Sequence, residues 1–174
     1  MQNERLMYPI GRFQQPKSIS LEALSSAILG IHRFPEAVAG LLTDLPEERL
    51  DSRYRPGGWT IRQLVHHLAD SHMNAYMRFK LALTEETPVI KPYKENHWAA
   101  LADSKLGIDV SVQLLAGIHE RWCFLMQNMD ESQWIRRFFH PEQKQSIALN
   151  VSALAYDWHG RHHLAHIRLA KLSK

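Results

Sequence analysis

Histidine is the residue type whose number and placement in this sequence point most directly to chemistry. There are eleven histidines in 174 residues, and two short segments hold most of them. The segment HHLADSH (66–72) contains His66, His67 and His72, and the segment HGRHHLAH (159–166) contains four more within eight positions. Because histidine is the commonest metal ligand among side chains, these segments are where chemistry is expected.

The second segment places its histidines on one side of a helix. Each residue of an α-helix advances by about 100°, so His159, His162, His163 and His166 share an arc of roughly 100°. Residues four apart are neighbours on a helix surface, so His159 can bind an ion together with His163, and His162 together with His166. Two histidines leave the coordination of an ion incomplete, so a third ligand has to come from elsewhere.

The first segment offers three candidates for that third ligand. By the same helical arithmetic, His72 lies near the middle of the apolar stripe of its helix. His67 lies on the flank of the stripe, roughly 120° from its centre, and His66 points most nearly toward solvent. A flank position suits a ligand best, because flanks of two neighbouring helices can converge on a groove.

Two combinations are compatible with these positions. The spacing favours His67 with His159 and His163, and it leaves His72 with His162 open. A single histidine on a helix is usually a hydrogen-bonded core or surface residue, and one HxxxH pair is common by chance. Two histidine clusters on helices that should pack together make a metal site as well supported as ordinary hydrogen-bonded histidines. The residues alone leave both interpretations open.

Four long helices are predicted to position these histidines. Apolar residues recur at helical spacing in four stretches, with Ser20 and Thr60 as suitable N-caps for the first two. The predicted core face of the third helix contains Val110, Leu114, Ile118, Trp122, Leu125 and Met129. Four amphipathic helices bury their apolar faces most simply as a bundle, so the predicted fold is an all-α four-helix bundle in a single domain, 1–174. The predicted helices span 21–43, 61–83, 110–129 and 151–172.

The segments outside the long helices contain the proline and glycine residues that interrupt regular structure. Residues 1–19 are predicted to be extended or irregular. Residues 84–108 are predicted to form a long connection with one short helix near Trp98. The residues on either side of the turn PEQK are predicted to pair as a short β-hairpin near 136–149.

Composition and charge exclude several other kinds of protein. The net charge is +3, but the basic residues are scattered and are not interleaved with aromatic residues, so no nucleic-acid partner is predicted.

No stretch approaches the roughly 18 apolar residues of a membrane span, and the N-terminus lacks the apolar core of a signal peptide, so a cytoplasmic protein with no membrane partner is predicted. Cys123, the only cysteine, follows Trp122 and precedes Phe124, and it is predicted to be a buried structural thiol.

Several motifs carry a resemblance to a known family. PGGWTIRQLVHHLADSHMNAYMRFKLALTEETP (56–88) resembles the first signature of the DinB-like superfamily, and more closely that of its YfiT branch, whose members are described as metal-dependent hydrolases. YDWHGRHHLAHI (156–167) is similar to the second signature, and MYPIGRF (7–13) and the FHPE turn (139–142) also fit. The resemblance thus runs over nearly the whole chain.

The resemblance carries specific expectations about fold, metal and assembly. It implies a DinB-like helical bundle, a bound zinc or nickel ion, a cytoplasmic location and a homodimer. The family's three metal histidines fall on the second histidine of HHLAD and on both histidines of WHxxxH, which here are His67, His159 and His163. This sequence matches the family pattern at all three positions.

An open site with three histidine ligands indicates a catalytic metal, because structural zinc is usually closed by four protein ligands. The first hypothesis is a metal-dependent hydrolase that activates water and acts on a small molecule. An alternative is an S-transferase that binds a low-molecular-weight thiol, of the bacillithiol type, as a thiolate. A second alternative is a non-enzymatic bundle that the metal braces and that binds a partner.

Few other residues are candidates for this chemistry. Asp70, one turn after His67, could orient a ligand or take a proton, although a solvated helix carboxylate is the commoner situation. Arg62, Arg78 or Arg161 could hold the carboxylates of a small thiol, although arginines on helices are more often plain surface residues. The catalytic residues are therefore left unassigned.

Overall fold

The computed structural model describes residues 2–173, and helices account for most of them. The α-helices are α1 (Gln2–Met7), α2 (Leu21–Leu42), α3 (Ile61–Thr84), α4 (Glu95–Trp98), α5 (Asp109–Gln127), α6 (Glu131–Trp134) and α7 (Leu149–Leu172). Short 3-10 turns span Glu47–Asp51 and Ala102–Lys105, and the strands are β1 (Arg137–His140) and β2 (Gln145–Ala148).

The four long helices pack as a bundle. Helix α2 packs against α5 and α7, and α3 packs against the same two helices, so the order around the bundle is α2, α5, α3, α7. This arrangement confirms the predicted all-α four-helix bundle with a small hairpin. Because α3 and α7 are neighbours, the two histidine-rich segments lie on helices in direct contact.

The N-terminal caps of the first two long helices form as predicted. The Ser20 hydroxyl accepts a hydrogen bond from the Ala23 amide at 3.1 Å. Thr60 and Gln63 make a reciprocal capping box, in which each side chain accepts from the other residue's backbone amide at 3.1 Å. Since a cap fixes where a helix starts, the box at Thr60 also sets the direction in which later residues of α3 point.

The predicted hairpin is present and leads directly into the last helix. Strands β1 and β2 are antiparallel, with Arg137 opposite Ala148 and His140 opposite Gln145. Lys144, in the connecting turn, has a positive φ of 52°. Because β2 ends at Ala148 and no loop follows it, α7 begins at Leu149, two residues before the predicted start.

Two predictions about local structure were wrong. Residues 1–19 were predicted to be irregular, but α1 occupies the start of this range and ends before Pro9, because the proline and glycine residues that suggested irregular structure all follow the helix. The predicted core face of α5 was wrong in its first turns, since Val110 and Leu114 are 53% and 44% exposed, whereas Ile118 and Trp122 of the same predicted face are buried. The buried residues of α5 are Ser111, Leu115, Ile118, His119, Trp122, Cys123 and Met126.

The core has two apolar clusters, and a buried histidine contacts both. One cluster contains Phe79 and Trp122, and the other contains Phe34 and Leu68. The ring of His72, which is fully buried, stacks on Phe34 at 5.0 Å between centroids and meets Trp122 edge-on at 6.2 Å. Within residues 2–173, none of the helices is both long and apolar enough to cross a lipid bilayer.

Candidate metal centre

The three histidines predicted as metal ligands come together between α3 and α7. One nitrogen of each of His67, His159 and His163 lies within 4.8 Å of a nitrogen of the other two. Their ring centroids are separated by 5.5 Å (His67–His159), 5.0 Å (His67–His163) and 4.5 Å (His159–His163). The helical repeat explains this geometry, since the two α7 residues are four apart and lie one above the other beside α3.

The cluster is largely shielded from solvent. His67 and His163 are 4% and 8% exposed, and His159 is partly exposed. The indole of Trp59, just before the Thr60 cap, packs on the His67 ring at 4.5 Å between centroids. The residue just before the capping box therefore contacts one of the candidate ligands.

Burial makes these rings neutral and therefore able to coordinate. Desolvation lowers the pKa of His67 to about 4. It also lowers the pKa of His159 and of His163 well below the usual value, and the neighbouring imidazoles add to the effect. A neutral imidazole has a lone pair to give to a metal, whereas a protonated one has none.

Further histidines lie behind two of the three candidate ligands. Nδ1 of His159 lies 3.2 Å from Nε2 of His72, whose Nδ1 lies 2.8 Å from Nε2 of His119. Nδ1 of His163 lies 3.3 Å from Nδ1 of His166. In contrast, no hydrogen bond joins the His67 ring to any residue that the structure describes.

A second histidine group shares one residue with the first. His162, His163 and His166 also place one nitrogen each within 4.8 Å of the others. The His162 ring stacks on Trp158 at 4.6 Å between centroids, and its buried Nδ1 has no hydrogen-bond partner among the described residues. The predicted alternative of His72 with His162 does not form a group, because His72 turns toward His119 and His159 instead.

A cavity of about 500 Å³ opens beside the cluster, and His159 belongs to its lining. The basic residue in it is Arg78 of α3, which donates a hydrogen bond from Nη1 to the Tyr156 hydroxyl at 3.4 Å. Glu95 of α4 and His140 of β1 line the same cavity. The short elements of the fold thus supply the polar walls next to a candidate ligand.

The other residues singled out in the sequence lie away from the cluster. Arg62 pairs with Glu47 and Asp51, with its Nη2 2.7 Å from the Glu47 carboxylate. Arg161 pairs with Asp157 one turn earlier, at 2.8 Å. Of the three arginines considered, only Arg78 faces the cavity.

Two further predictions about α3 can be compared with the structure. Burial, and then the charge of Asp103, raise the pKa of Asp70 to about 6, but no hydrogen bond joins its carboxylate to a candidate ligand within residues 2–173. His66 was predicted to face solvent, and this was wrong. It is 7% exposed, with Nδ1 2.7 Å from the Ser111 hydroxyl, because α5 and the chain before it cover this side of α3.

No pattern in the sequence indicated a role for His119, Glu95 or His140. The FHPE motif contains His140 and contributed to the family resemblance, but the position of His140 beside the cavity depends on how the hairpin packs. Glu95 and His119 lie in segments far from both histidine clusters, and only the packing of α4 and α5 brings them near. No pattern within one helix could have identified them.

The donor set fits a divalent transition metal. It consists of three neutral imidazoles, two of them buried and one partly exposed, and the one on α3 has no hydrogen bond to any described residue. Zinc and similar ions bind imidazole nitrogen at about 2.0–2.1 Å, and three such ligands leave a position open. The fold and the cluster together define a helical-bundle protein with a histidine pocket that can hold a metal ion.

Comparison with known proteins places this bundle in a family. The sequence profile of the DinB superfamily matches residues 31–167, and the chain belongs to that superfamily. A protein of Oceanobacillus iheyensis named "Putative metal-dependent hydrolase" is 49% identical over 160 residues, which cover 92% of each chain. A Bacillus cereus protein of the same name is 48% identical over 162 residues, or 93% of each chain.

Two solved structures share the fold. YfiT from Bacillus subtilis, described as "a probable metal-dependent hydrolase with an unusual four-helix bundle topology", has a TM-score of 0.93 and 44% sequence identity, covering 96% of this chain and 97% of that one. A mycothiol-dependent maleylpyruvate isomerase has a TM-score of 0.67 at 18% identity, covering 83% of this chain and 60% of the other. At that identity the second likeness concerns the fold alone.

Proposed function

We propose that this chain, as a single domain over residues 1–174, is a metal-dependent hydrolase. In this proposal His67, His159 and His163 bind one divalent ion, zinc or nickel, and leave a position open for chemistry. The observation that carries the proposal is the convergence of three neutral imidazoles within 4.8 Å, one of them in the wall of a cavity of about 500 Å³. The names of the similar proteins support the same class.

When bound, a divalent ion supplies Lewis-acid chemistry, which can activate water for hydrolysis or stabilise a thiolate for transfer. The chain's own residues do the rest. The cavity holds a small substrate beside His159, and the Arg78 guanidinium offers donors to a carboxylate or another oxygen of that substrate. The Trp59 indole packs on the His67 ring, and the cavity beside His159 gives the substrate its approach.

The second candidate function is a metal-dependent S-transferase for a low-molecular-weight thiol of the bacillithiol type. The observation that favours it is Arg78, because a guanidinium in the cavity wall can bind the carboxylate of such a thiol. Thiol transfer would also require little more of the protein than to hold the electrophile near the thiol, since a bound ion would favour the thiolate form. The alternative of a non-enzymatic, metal-braced bundle is retained as an outcome of the test.

The experiment combines elemental analysis with two assays on one preparation. Purified protein is analysed for zinc and nickel, stripped, and reloaded with each metal. It is then offered a panel of esters and amides without thiol, and separately a bacterial low-molecular-weight thiol with a chlorinated aromatic electrophile. Hydrolysis that needs the metal, needs no thiol and disappears in His159→Ala supports the first proposal.

Other results of the same experiment decide against that proposal. Conjugation of the thiol that disappears in His159→Ala, with no hydrolysis on the panel, would replace the hydrolase with the transferase. Metal binding with neither reaction would favour the non-enzymatic bundle. An Arg78→Gln variant also distinguishes the two functions, because it should raise the KM for a carboxylate-bearing thiol much more than the KM for a neutral ester.

We also propose that the protein is a cytoplasmic homodimer. The support is the family resemblance, and light scattering on the metal-loaded protein is the test. A mass of twice one chain is expected, and a mass of one chain at micromolar concentration would refute the dimer.

A further inference from the structure

Two chains of hydrogen-bonded histidines end at the candidate ligands. We infer that one chain through His72 and His119, and another through His166, fix the tautomers of His159 and His163 so that each presents an unprotonated Nε2 to the metal. This inference rests on the metal site proposed above. It assigns His72, His119 and His166 as positioning residues.

The first chain begins at a backbone carbonyl and ends at His159. Nδ1 of His119 lies 2.6 Å from the Ile31 carbonyl oxygen, which can only accept, so His119 Nδ1 donates. Neutral His119 then has a bare Nε2, which accepts from Nδ1 of His72 at 2.8 Å. Neutral His72 likewise has a bare Nε2, which accepts from Nδ1 of His159 at 3.2 Å. The proton of His159 is therefore on Nδ1, and its lone pair is on Nε2.

The second chain is shorter and follows the same logic. Nε2 of His166 lies 3.1 Å and 3.2 Å from the carbonyl oxygens of Leu6 and Met7 at the end of α1, so Nε2 donates. Neutral His166 then accepts on Nδ1 from Nδ1 of His163, at 3.3 Å. His163 therefore also keeps its lone pair on Nε2. This contact gives α1, which the sequence did not predict, a part in the site.

The argument requires every ring in the two chains to be neutral, and a pH of 8, well above the usual histidine pKa of about 6.5, provides this. Four of the five rings are also buried, where an unpaired charge would be costly: His72, His119, His163 and His166. Because a carbonyl cannot donate, neither chain can run in the opposite direction while its rings stay neutral.

The same logic separates the two histidine groups. A metal held by His162, His163 and His166 would need the one lone pair that neutral His166 has, on Nδ1. That lone pair accepts the proton of His163, so the second group lacks a free ligand. Outer-shell partners of this kind orient a ligand and set its tautomer in metal sites generally.

The test reads the tautomers directly in protein from which the metal has been removed. Long-range proton–nitrogen correlation spectra of uniformly ¹⁵N-labelled protein at pH 8 distinguish a protonated from a bare ring nitrogen. Protonated Nδ1 and bare Nε2 are expected for His72, His119, His159 and His163, and the reverse for His166. A neutral histidine in water carries its proton mostly on Nε2, so the expected pattern differs from the default.

A matched pair of variants tests whether the first chain acts on the ligand. His119→Leu removes the acceptor at the end of that chain, and His66→Leu removes another buried, hydrogen-bonded histidine that belongs to neither chain. His119→Leu should abolish the Nδ1-protonated state of His159, leave that of His163 unchanged, and weaken zinc binding by about 10- to 100-fold. His66→Leu should leave both tautomers and the zinc affinity unchanged.

The outcomes separate this inference from the proposed function. A proton on Nε2 of His159 or His163 in the unmodified, metal-free protein overturns the inference, even if zinc binds. The expected tautomers with no zinc binding refute the metal centre and leave the hydrogen-bond chains intact. Should His119→Leu fail to fold, His166→Leu applies the same test to His163, and the spectrum of the unmodified protein decides in any case.

Discussion

His66 and His67 are consecutive on α3 and both are buried, at 7% and 4% exposure, yet their surroundings differ. Both nitrogens of His66 have fixed partners, the Ser111 hydroxyl at 2.7 Å and the Leu106 carbonyl at 3.2 Å. The ring of His67 has no hydrogen bond to any described residue and faces two histidines of α7. For this adjacent pair, the histidine whose two nitrogens are both paired belongs to the packing, whereas the one that meets two imidazoles across the α3–α7 interface suits an external ligand.

The pKa values of the two rings also have different causes. Desolvation lowers the pKa of His66, but the hydrogen bond to Leu106 and the charge of Asp103 partly offset it. Desolvation lowers the pKa of His67 to about 4 with nothing to offset it. His67 is thus held neutral and unpaired, which is the state that a metal requires.

The largest effect expected is the loss of metal in His67→Ala. Removing one of three ligands should weaken zinc binding on the order of 100-fold or more, and His159→Ala and His163→Ala should do the same. His66→Ala should keep the metal and instead lower the free energy of unfolding by about 1–3 kcal/mol, because it leaves the buried Ser111 hydroxyl without its partner. Metal content and chemical denaturation measure the two effects, and the opposite assignment would break the comparison.

The next effect concerns pH and the metal-free protein. Buried neutral histidines have folded-state pKa values below the unfolded value of about 6.5, so the unfolded state binds more protons as pH falls. Stability is therefore complete above pH 6.5 and is lost as pH falls toward 4. For His67 alone, a pKa of about 4 corresponds to about 3 kcal/mol.

Thermal unfolding from pH 8 to pH 4.5 measures this loss, and metal content can be followed in the same samples. Zinc should be retained at pH 8 and lost in mild acid, because protons compete for the same nitrogens. A midpoint and a metal content that do not change down to pH 4.5 would argue against an all-histidine site.

A smaller loss of stability is expected when a side chain is added to Gly160, where α2 and α7 approach closely. A Cβ at Gly160 would lie 2.9 Å from the ring of Phe34, which is buried and stacks on His72 and His119. Gly160→Ala should therefore lower the free energy of unfolding by about 1–3 kcal/mol. Gly117→Ala is the control, because a Cβ there meets nothing within 4 Å, and it should stabilise α5 by up to about 1 kcal/mol. Equal effects in the two variants would contradict the close approach.

The smallest effect is expected for His162→Ala. This residue lies next to His163 in the chain, but it is outside the proposed ligand set and its ring packs on Trp158. Zinc affinity, measured by competition with a chromophoric chelator, should change by less than about threefold. A loss as large as that of His67→Ala would move the metal to the second histidine group.

Much of the fold could be predicted because its signals are local. The caps at Ser20 and Thr60, the helical spacing and the turn at 141–144 each depend on residues close in sequence, and all appear in the structure. The short helix α1 was missed because its sequence lies next to residues typical of loops.

The candidate site was predictable only in part. Spacing and family resemblance together selected His67, His159 and His163, and the structure brings them to one place. The burial of His66 could not be predicted from a single apolar stripe, because α5, α7 and the chain before α5 cover α3 on several sides. His119 was missed because it is a polar residue on the core face of α5, and a search for apolar residues does not count it.

The central claim is that the metal is bound by one histidine of α3 and two of α7, and anomalous diffraction from zinc-loaded crystals tests it most directly. The account predicts one strong peak about 2.0–2.1 Å from a ring nitrogen of each of His67, His159 and His163. A peak against His162 and His166, or no ordered ion in protein soaked with excess zinc at pH 8, would contradict it.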